Sequence, residues 1–396
     1  MKLARRLDHI APFYVMACAK AARAIAASPA CDPARGGRPM IYLNIGEPDF
    51  TAPAPVVEAA RRVLRDGRTQ YTEALGLPAL REAISGWYRA RWGLEVPAGR
   101  ICITAGASAA LMLVCLALFE AGDEVLMPDP SYPCNRHFVA AADAMPVLLP
   151  TSAATRFQPD AATVAAHWGP ATRGVLLASP SNPTGTSIAP AELARIVAVA
   201  RARGGVCIVD EIYQGLAYDP AFCASALALG DDVVSVNSFS KTFAMTGWRL
   251  GWVVLPQALV EPVERLAQNL TICASSIAQQ AALACFTPES LAECERRRLD
   301  FRARRDYLLP ALARVGLPAP VAPDGAFYLW LDCRAHAADS WDFAFDLMHR
   351  AQVAMTPGRD FGPAHAAAHL RLSFATAMPQ LEAAVQRLER LFGAGG

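Results

Sequence analysis

Between Ile101 and Pro256 the chain repeats one rhythm: a short run apolar at nearly every position, a turn, then a longer amphipathic stretch. The short runs are ICIT (101–104), EVLMP (124–128), MPVLL (145–149), GVLLAS (174–179), VCIVDEI (206–212), VVSVNS (233–238) and RLGWVVL (249–255). Strands that are apolar on both sides need cover on both sides, and helices between them supply it. AELARIVAVARARG (191–204) is such a helix, stopped by glycine, and others are expected after AGAS and from near Pro130. The pattern predicts an α/β fold: a three-layer α/β/α domain around a mostly parallel sheet.

Past Pro256 the rhythm changes. Helical periodicity dominates through Arg314, and AFYLWLD (326–332), QVAMTP (352–357) and HLRLSFA (369–375) read as strands beside helices near 341–350 and 378–392. This predicts a second, smaller α+β domain. Residues 12–27 read as an amphipathic helix, and SPACDPARGGRPM (28–40) as a loop before IYLNIGEPDF. The expected division is 1–45 joining the small domain, 46–285 forming the large domain and 286–396 completing the small one.

Composition narrows the function. An apolar content of 54% with 18% charged residues suits a well-buried globular enzyme, and a net charge of +1 offers no footprint for nucleic acid. Eleven cysteines at irregular intervals, with no Cys-x-x-Cys pair, argue against a disulfide framework and a zinc ribbon. The start, MKLARR, has the charge of a secretion signal, but Asp8, His9, Pro12, Lys20 and Arg23 interrupt the apolar run behind it. The longest apolar run, Ala109 to Phe119, is too short to cross a bilayer. A cytoplasmic protein with no membrane or nucleic-acid partner is expected.

Parallel sheets present their ligand sites beyond the carboxyl ends of their strands, and four polar clusters fall there. In TAGASAAL (104–111) small residues join a strand to a helix, freeing backbone N–H groups for a phosphate; such turns also serve tight packing. In SPSNPTG (179–185) two X-Pro bonds and a glycine set an unusual path around Asn182, open to cis geometry. Asp210 ends the apolar run VCIV, where a carboxylate must be paired or face a cavity, unless it caps a helix; Tyr213 could reach the same space. In SFSKTFAMTGWRLGW (238–252), Lys241 sits among apolar neighbours and Arg249 follows eight positions later. A desolvated lysine exposes a neutral amine that condenses with an aldehyde, and an arginine grips phosphate through two N–H groups. An amine nucleophile, a phosphate cradle and an acid suited to a pyridinium nitrogen together describe a pyridoxal phosphate site.

In order along the chain, NIGEPDF, YTEALGLPALREAI, SPSNPTG, VDEIYQGL, SFSKTFAMTGWRLGW and HLRLSFA resemble the motifs of class I/II pyridoxal-phosphate-dependent aminotransferases, fold type I, the aspartate aminotransferase superfamily. The resemblance runs from about Pro12 to Leu391. It implies that Lys241 forms the internal aldimine and shuttles the proton at the substrate Cα. Asp210 would bond the pyridinium nitrogen, and Tyr213 and Asn182 the cofactor's phenolic oxygen. Ala107, Ser108, Ser238 and Arg249 would hold the phosphate, and Tyr132 would stack on the ring. Arg371 would pair with the substrate α-carboxylate, helped by Asn182 and the backbone of Gly46. Tyr71 would reach the phosphate of the neighbouring subunit, which implies a homodimer with shared active sites.

The implied reaction moves an amino group from an L-amino acid to a 2-oxo acid, 2-oxoglutarate or pyruvate, by ping-pong chemistry. One departure bears on the donor. Aspartate-specific members of the related bacterial subgroup carry a lysine beside the AGAS-like turn, where this chain has Ala109 and Ala110; a neutral or aromatic donor is favoured. A C–S β-lyase or another fold type I enzyme that breaks a Cα–H bond would share these motifs. A non-enzymatic sensing domain is disfavoured by the lack of room for a winged helix before NIGEPDF. His365 and His369, in HAAAH, have the spacing of metal ligands on a helix but no third ligand nearby, so surface histidines and no metal are expected.

Overall fold

The computed structural model describes residues 2–393. Its strands are β1 (Ile41–Tyr42), β2 (Ile101–Thr104), β3 (Glu124–Asp129), β4 (Met145–Pro150), β5 (Thr172–Ala178), β6 (Val206–Asp210), β7 (Val234–Ser238), β8 (Gly251–Val254), β9 (Tyr328–Asp332), β10 (Val353–Ala354), β11 (Thr356–Pro357) and β12 (His369–Ser373). Seven of them form the central sheet in the order β2-β8-β7-β6-β5-β3-β4. Every pairing is parallel except those of β8, which runs against both β2 and β7. The fold is therefore α/β with a mostly parallel sheet.

Both faces of that sheet are covered, as its largely apolar strands require. On one side Leu111, Val114 and Cys115, from the helix Ala107–Leu118, pack with Val125, Met127, Leu176, Ile208 and Val236. On the other, Leu193, Ile196 and Val197, from the helix Pro190–Ala202, pack with Leu126, Val175, Leu177 and Val209. Alternate residues of one strand thus enter different cores, which fixes the register of the sheet.

A smaller antiparallel sheet, β11-β12-β9, lies beside the long helix Pro288–Arg314 and the helix Met378–Phe392. QVAMTP, expected as one strand, is divided. Val353–Ala354 pairs in parallel with β1, whereas Thr356–Pro357 pairs with β12. The N-terminal chain therefore adds the strand β1 to the C-terminal part of the molecule. The helix expected near Pro130 begins at Pro133, because the Ser131 N–H is taken by the carbonyl of Phe361 and residues 130–132 stay outside the helix. Among the described residues no helix is long and apolar enough to cross a membrane, and all the cysteines are free thiols.

Candidate active site

The carboxyl ends of the parallel strands deliver the candidate residues to one rim. β2 ends at Thr104 and leads to Ala107, β3 ends at Asp129 and leads to Tyr132, and β5 ends at Ala178 and leads to Asn182. β6 ends on Asp210 and β7 on Ser238. β8 runs the other way, so Arg249, two residues before its start, returns to the same rim.

At one end of this rim the Arg249 guanidinium lies directly against the turn that opens a helix. Gly106 precedes the helix Ala107–Leu118 with φ +85°, and a Cβ there would stand 2.7 Å from Arg249 Nη2. Only glycine tolerates both the backbone angle and the approach. The free N–H groups of the first helical turn and the guanidinium therefore face one spot, with the half-buried Ser108 on the same turn. The Ser238 hydroxyl is at the rim but engaged: it donates to the Leu250 carbonyl at 3.0 Å and accepts from the Ser240 N–H at 3.1 Å. In this arrangement it braces the turn that carries Lys241.

Lys241 donates to the carbonyl of Gly46 at 2.7 Å, with the rings of Phe327 and Tyr213 at 5.8 and 6.0 Å from its Nζ. Burial pushes its pKa down to about 8; Arg371 and Arg249 add to this, against the charges of Glu47 and Asp210. Asp210 is pushed up to about 7, again by burial, although the Ile212 N–H at 3.0 Å and the Lys241 charge favour its ionised form. Tyr132 is close enough for Asp210 and Tyr328 to bear on its phenol.

Arg371 rises from β12 of the small sheet. It is 3% exposed and has no carboxylate partner among the described residues. Its N–H groups reach Asn182 Oδ1 at 3.0 Å, the Asn44 carbonyl at 2.8 Å and Thr356 Oγ1 at 3.3 Å, and its Nε has no partner. The rings of Tyr328 and Phe361 flank the guanidinium at 4.6 and 5.1 Å. A buried cation held by neutral acceptors and aromatic faces is poised for an anion.

Thr356, Tyr328 and Phe361 surround Arg371 without a signal of their own in the sequence, and Asn44, the first residue of NIGEPDF, joins them through its carbonyl. Tyr71, by contrast, is 79% exposed and makes no side-chain hydrogen bond among the described residues. The two histidines of HAAAH are not on a helix. Residues 364–368 form turns, and His369 begins β12, buried and stacked on Trp330 at 5.1 Å. Pairing of β12 with β9 draws it inward, and burial pushes its imidazole down to about 4. His365 is half-buried, a ring nitrogen 2.6 Å from the Thr151 carbonyl.

Residues 38–388 match the family described as aminotransferase class I and II. The chain belongs to that family. This aminotransferase is 40% identical over 380 residues to a valine–pyruvate aminotransferase of Mycobacterium tuberculosis, covering 96% of each chain. It is 36% identical to an arginine–pyruvate transaminase of Pseudomonas aeruginosa, over 89% of this chain and 90% of that one. Among solved structures, an aminotransferase from Mycobacterium tuberculosis superposes with a TM-score of 0.93 at 39% identity, over the whole of both chains. Aspartate aminotransferase of Thermus thermophilus with maleate gives 0.90 at 33% identity, over 99% of this chain and 100% of that one.

Members of the family use pyridoxal phosphate, and the site of this aminotransferase fits that cofactor. The Arg249 guanidinium beside the free N–H groups of the turn after Gly106 suits a phosphate, and the Lys241 amine, its pKa lowered by burial, suits an aldehyde. The Asp210 carboxyl, costly to ionise alone, suits a ring nitrogen that can share its proton.

Proposed function

We propose that this aminotransferase transfers the amino group of an L-amino acid with a neutral side chain to a 2-oxo acid, pyruvate or 2-oxoglutarate, in two half-reactions at one site. The observation that carries the reading is the buried, carboxylate-free guanidinium of Arg371 opposite the amine of Lys241. Amino and oxo acids share an α-carboxylate, so one arginine can serve both half-reactions. The pyruvate in the names of two relatives supports that acceptor, and Ala109 and Ala110, in the first turn of the helix after β2, supply no cation for an acidic donor.

Bound pyridoxal phosphate supplies an aldehyde that takes up the amino group and a ring that withdraws electrons from the neighbouring Cα–H bond. The protein does the rest. Arg371, held by Asn182 and the Asn44 carbonyl, grips the α-carboxylate and fixes the Cα–H bond toward Lys241. Lys241, with a pKa near 8, takes the proton from Cα and returns it on the far side of the transfer. Asp210 would hold a proton at the ring nitrogen, Tyr213 would donate to the phenolic oxygen, Arg249 with the turn Gly106–Ser108 would anchor the phosphate, and Tyr132 would cover one face of the ring. Tyr71 belongs to the site of a second copy, which makes the working unit a homodimer.

The test is a donor panel run with pyruvate and with 2-oxoglutarate on protein loaded with cofactor. Valine, alanine or aromatic donors are expected to turn over at least about ten-fold faster than aspartate, the discrimination that one missing carboxylate partner gives. Lys241→Ala should lose turnover and the visible band of lysine-bound cofactor. Activity retained in that variant, or aspartate as the best donor, would overturn the reading.

A further inference from the structure

Tyr328 belongs to the run AFYLWLD, where nothing in the pattern separates it from its apolar neighbours. The register of the small sheet does. β9 and β12 pair Trp330 with Arg371 and Tyr328 with Ser373, which puts Tyr328, Trp330 and Arg371 on one face. Tyr328 is fully buried and meets three parts of the site. Its ring lies 4.6 Å from the Arg371 guanidinium carbon, and its hydroxyl fills the space that a Cβ on Gly46 would need, 2.4 Å away. The same hydroxyl is 2.8 Å from that of Tyr213 and has no other hydrogen-bond partner among the described residues.

A hydroxyl has one proton to give. Once Tyr213 gives its proton to the phenolic oxygen of the cofactor, the short contact with Tyr328 survives only if Tyr328 is the donor. A phenol that accepts a hydrogen bond becomes a stronger donor itself, because bonds in a chain polarise one another. We infer that Tyr328 is a positioning residue that donates to Tyr213, aims the Tyr213 proton at the cofactor and so lowers the pH at which lysine-bound cofactor loses its proton. The inference rests on the assignment of Tyr213 made above. The other groups that bear on Tyr213 are Arg371, Tyr132 and Lys241, with Asp210 behind Lys241. None of them changes when one oxygen is removed from Tyr328, and Phe keeps a ring under Arg371.

The experiment is a pH titration of the visible absorbance of bound cofactor in the holoenzyme, for wild type, Tyr213→Phe, Tyr328→Phe and the double variant. Tyr213→Phe should raise the midpoint, since the phenolic oxygen loses its donor. Tyr328→Phe should raise it less, by about half a pH unit, as expected for weakening one hydrogen bond in a chain. The double variant should match Tyr213→Phe alone, because Tyr328 acts only through Tyr213. The KM for the amino donor should stay within about two-fold in Tyr328→Phe. An unmoved midpoint in Tyr328→Phe beside a raised one in Tyr213→Phe overturns this inference and leaves the site reading intact. Additive shifts, or a large rise in KM with the midpoint unmoved, also overturn it. Unmoved midpoints in both single variants remove the Tyr213 assignment and this inference with it.

Discussion

Asp210 and Lys241 are both easier to keep neutral than charged in protein stripped of cofactor, and their effects on stability run in opposite directions with pH. Asp210 has its folded pKa raised to about 7 from 3.8, so it stabilises the fold as the neutral acid, and that contribution is lost as pH rises from about 4 through 7. Lys241 is lowered to about 8 from 10.5, so its contribution is present above the unfolded value and lost as pH falls through 8. Cofactor-free Asp210→Asn should therefore melt a few degrees above cofactor-free wild type at pH 8, and the gap should close toward pH 5. The same variant should bind pyridoxal phosphate more weakly, which a melting series with and without cofactor would show. Charged residues such as these were legible in the sequence because each interrupts an apolar run. Tyr328 was not, because an aromatic ring in an apolar strand becomes part of a site only through cross-strand register, and Phe361, outside any strand, reaches Arg371 only through the tertiary fold.

At the scale of elements, the strands of the central sheet were legible because most carry a run of consecutive apolar residues, as burial on both faces demands. The small strands were less so. QVAMTP has the composition of one strand, and only its two different partners, β1 and β12, split it. The helix Tyr14–Ala26 was visible from its periodicity, but its anchor was not. It has no side-chain cap of its own, and the Tyr14 and Val15 N–H groups are both taken by the carboxylate of Asp360, buried in the C-terminal part. Losing such a cap costs about 0.5–2 kcal/mol. Asp360→Ala should thus loosen the N-terminal segment, with faster limited proteolysis between residues 10 and 27 while the helices beneath the central sheet stay protected. Equal cleavage rates in both proteins would show that packing alone holds the segment.

For the whole molecule, the exposed side chains of Tyr71, Leu270 and Ile272 belong to the segments flanking the helix Ser276–Ala282, whose Gln279 bonds Thr72 and the Ala274 carbonyl. The shared-site reading predicts that mixing inactive Tyr71→Ala and Lys241→Ala proteins restores part of the wild-type activity, up to about a quarter per pair of sites from random reassortment of two chains. An inactive mixture whose chains demonstrably exchange would count against a shared site. The reversal of β8 has its own consequence. Lys241 and Arg249 lie on one uninterrupted span between β7 and β8, whose two legs are clamped together at Asn237–Trp252 and Ser238–Gly251. The separation of amine and guanidinium is thereby a gauge cut into the backbone, independent of how the small sheet moves. A molecule whose carbonyl and anionic ends are spaced differently meets a jaw that has no hinge.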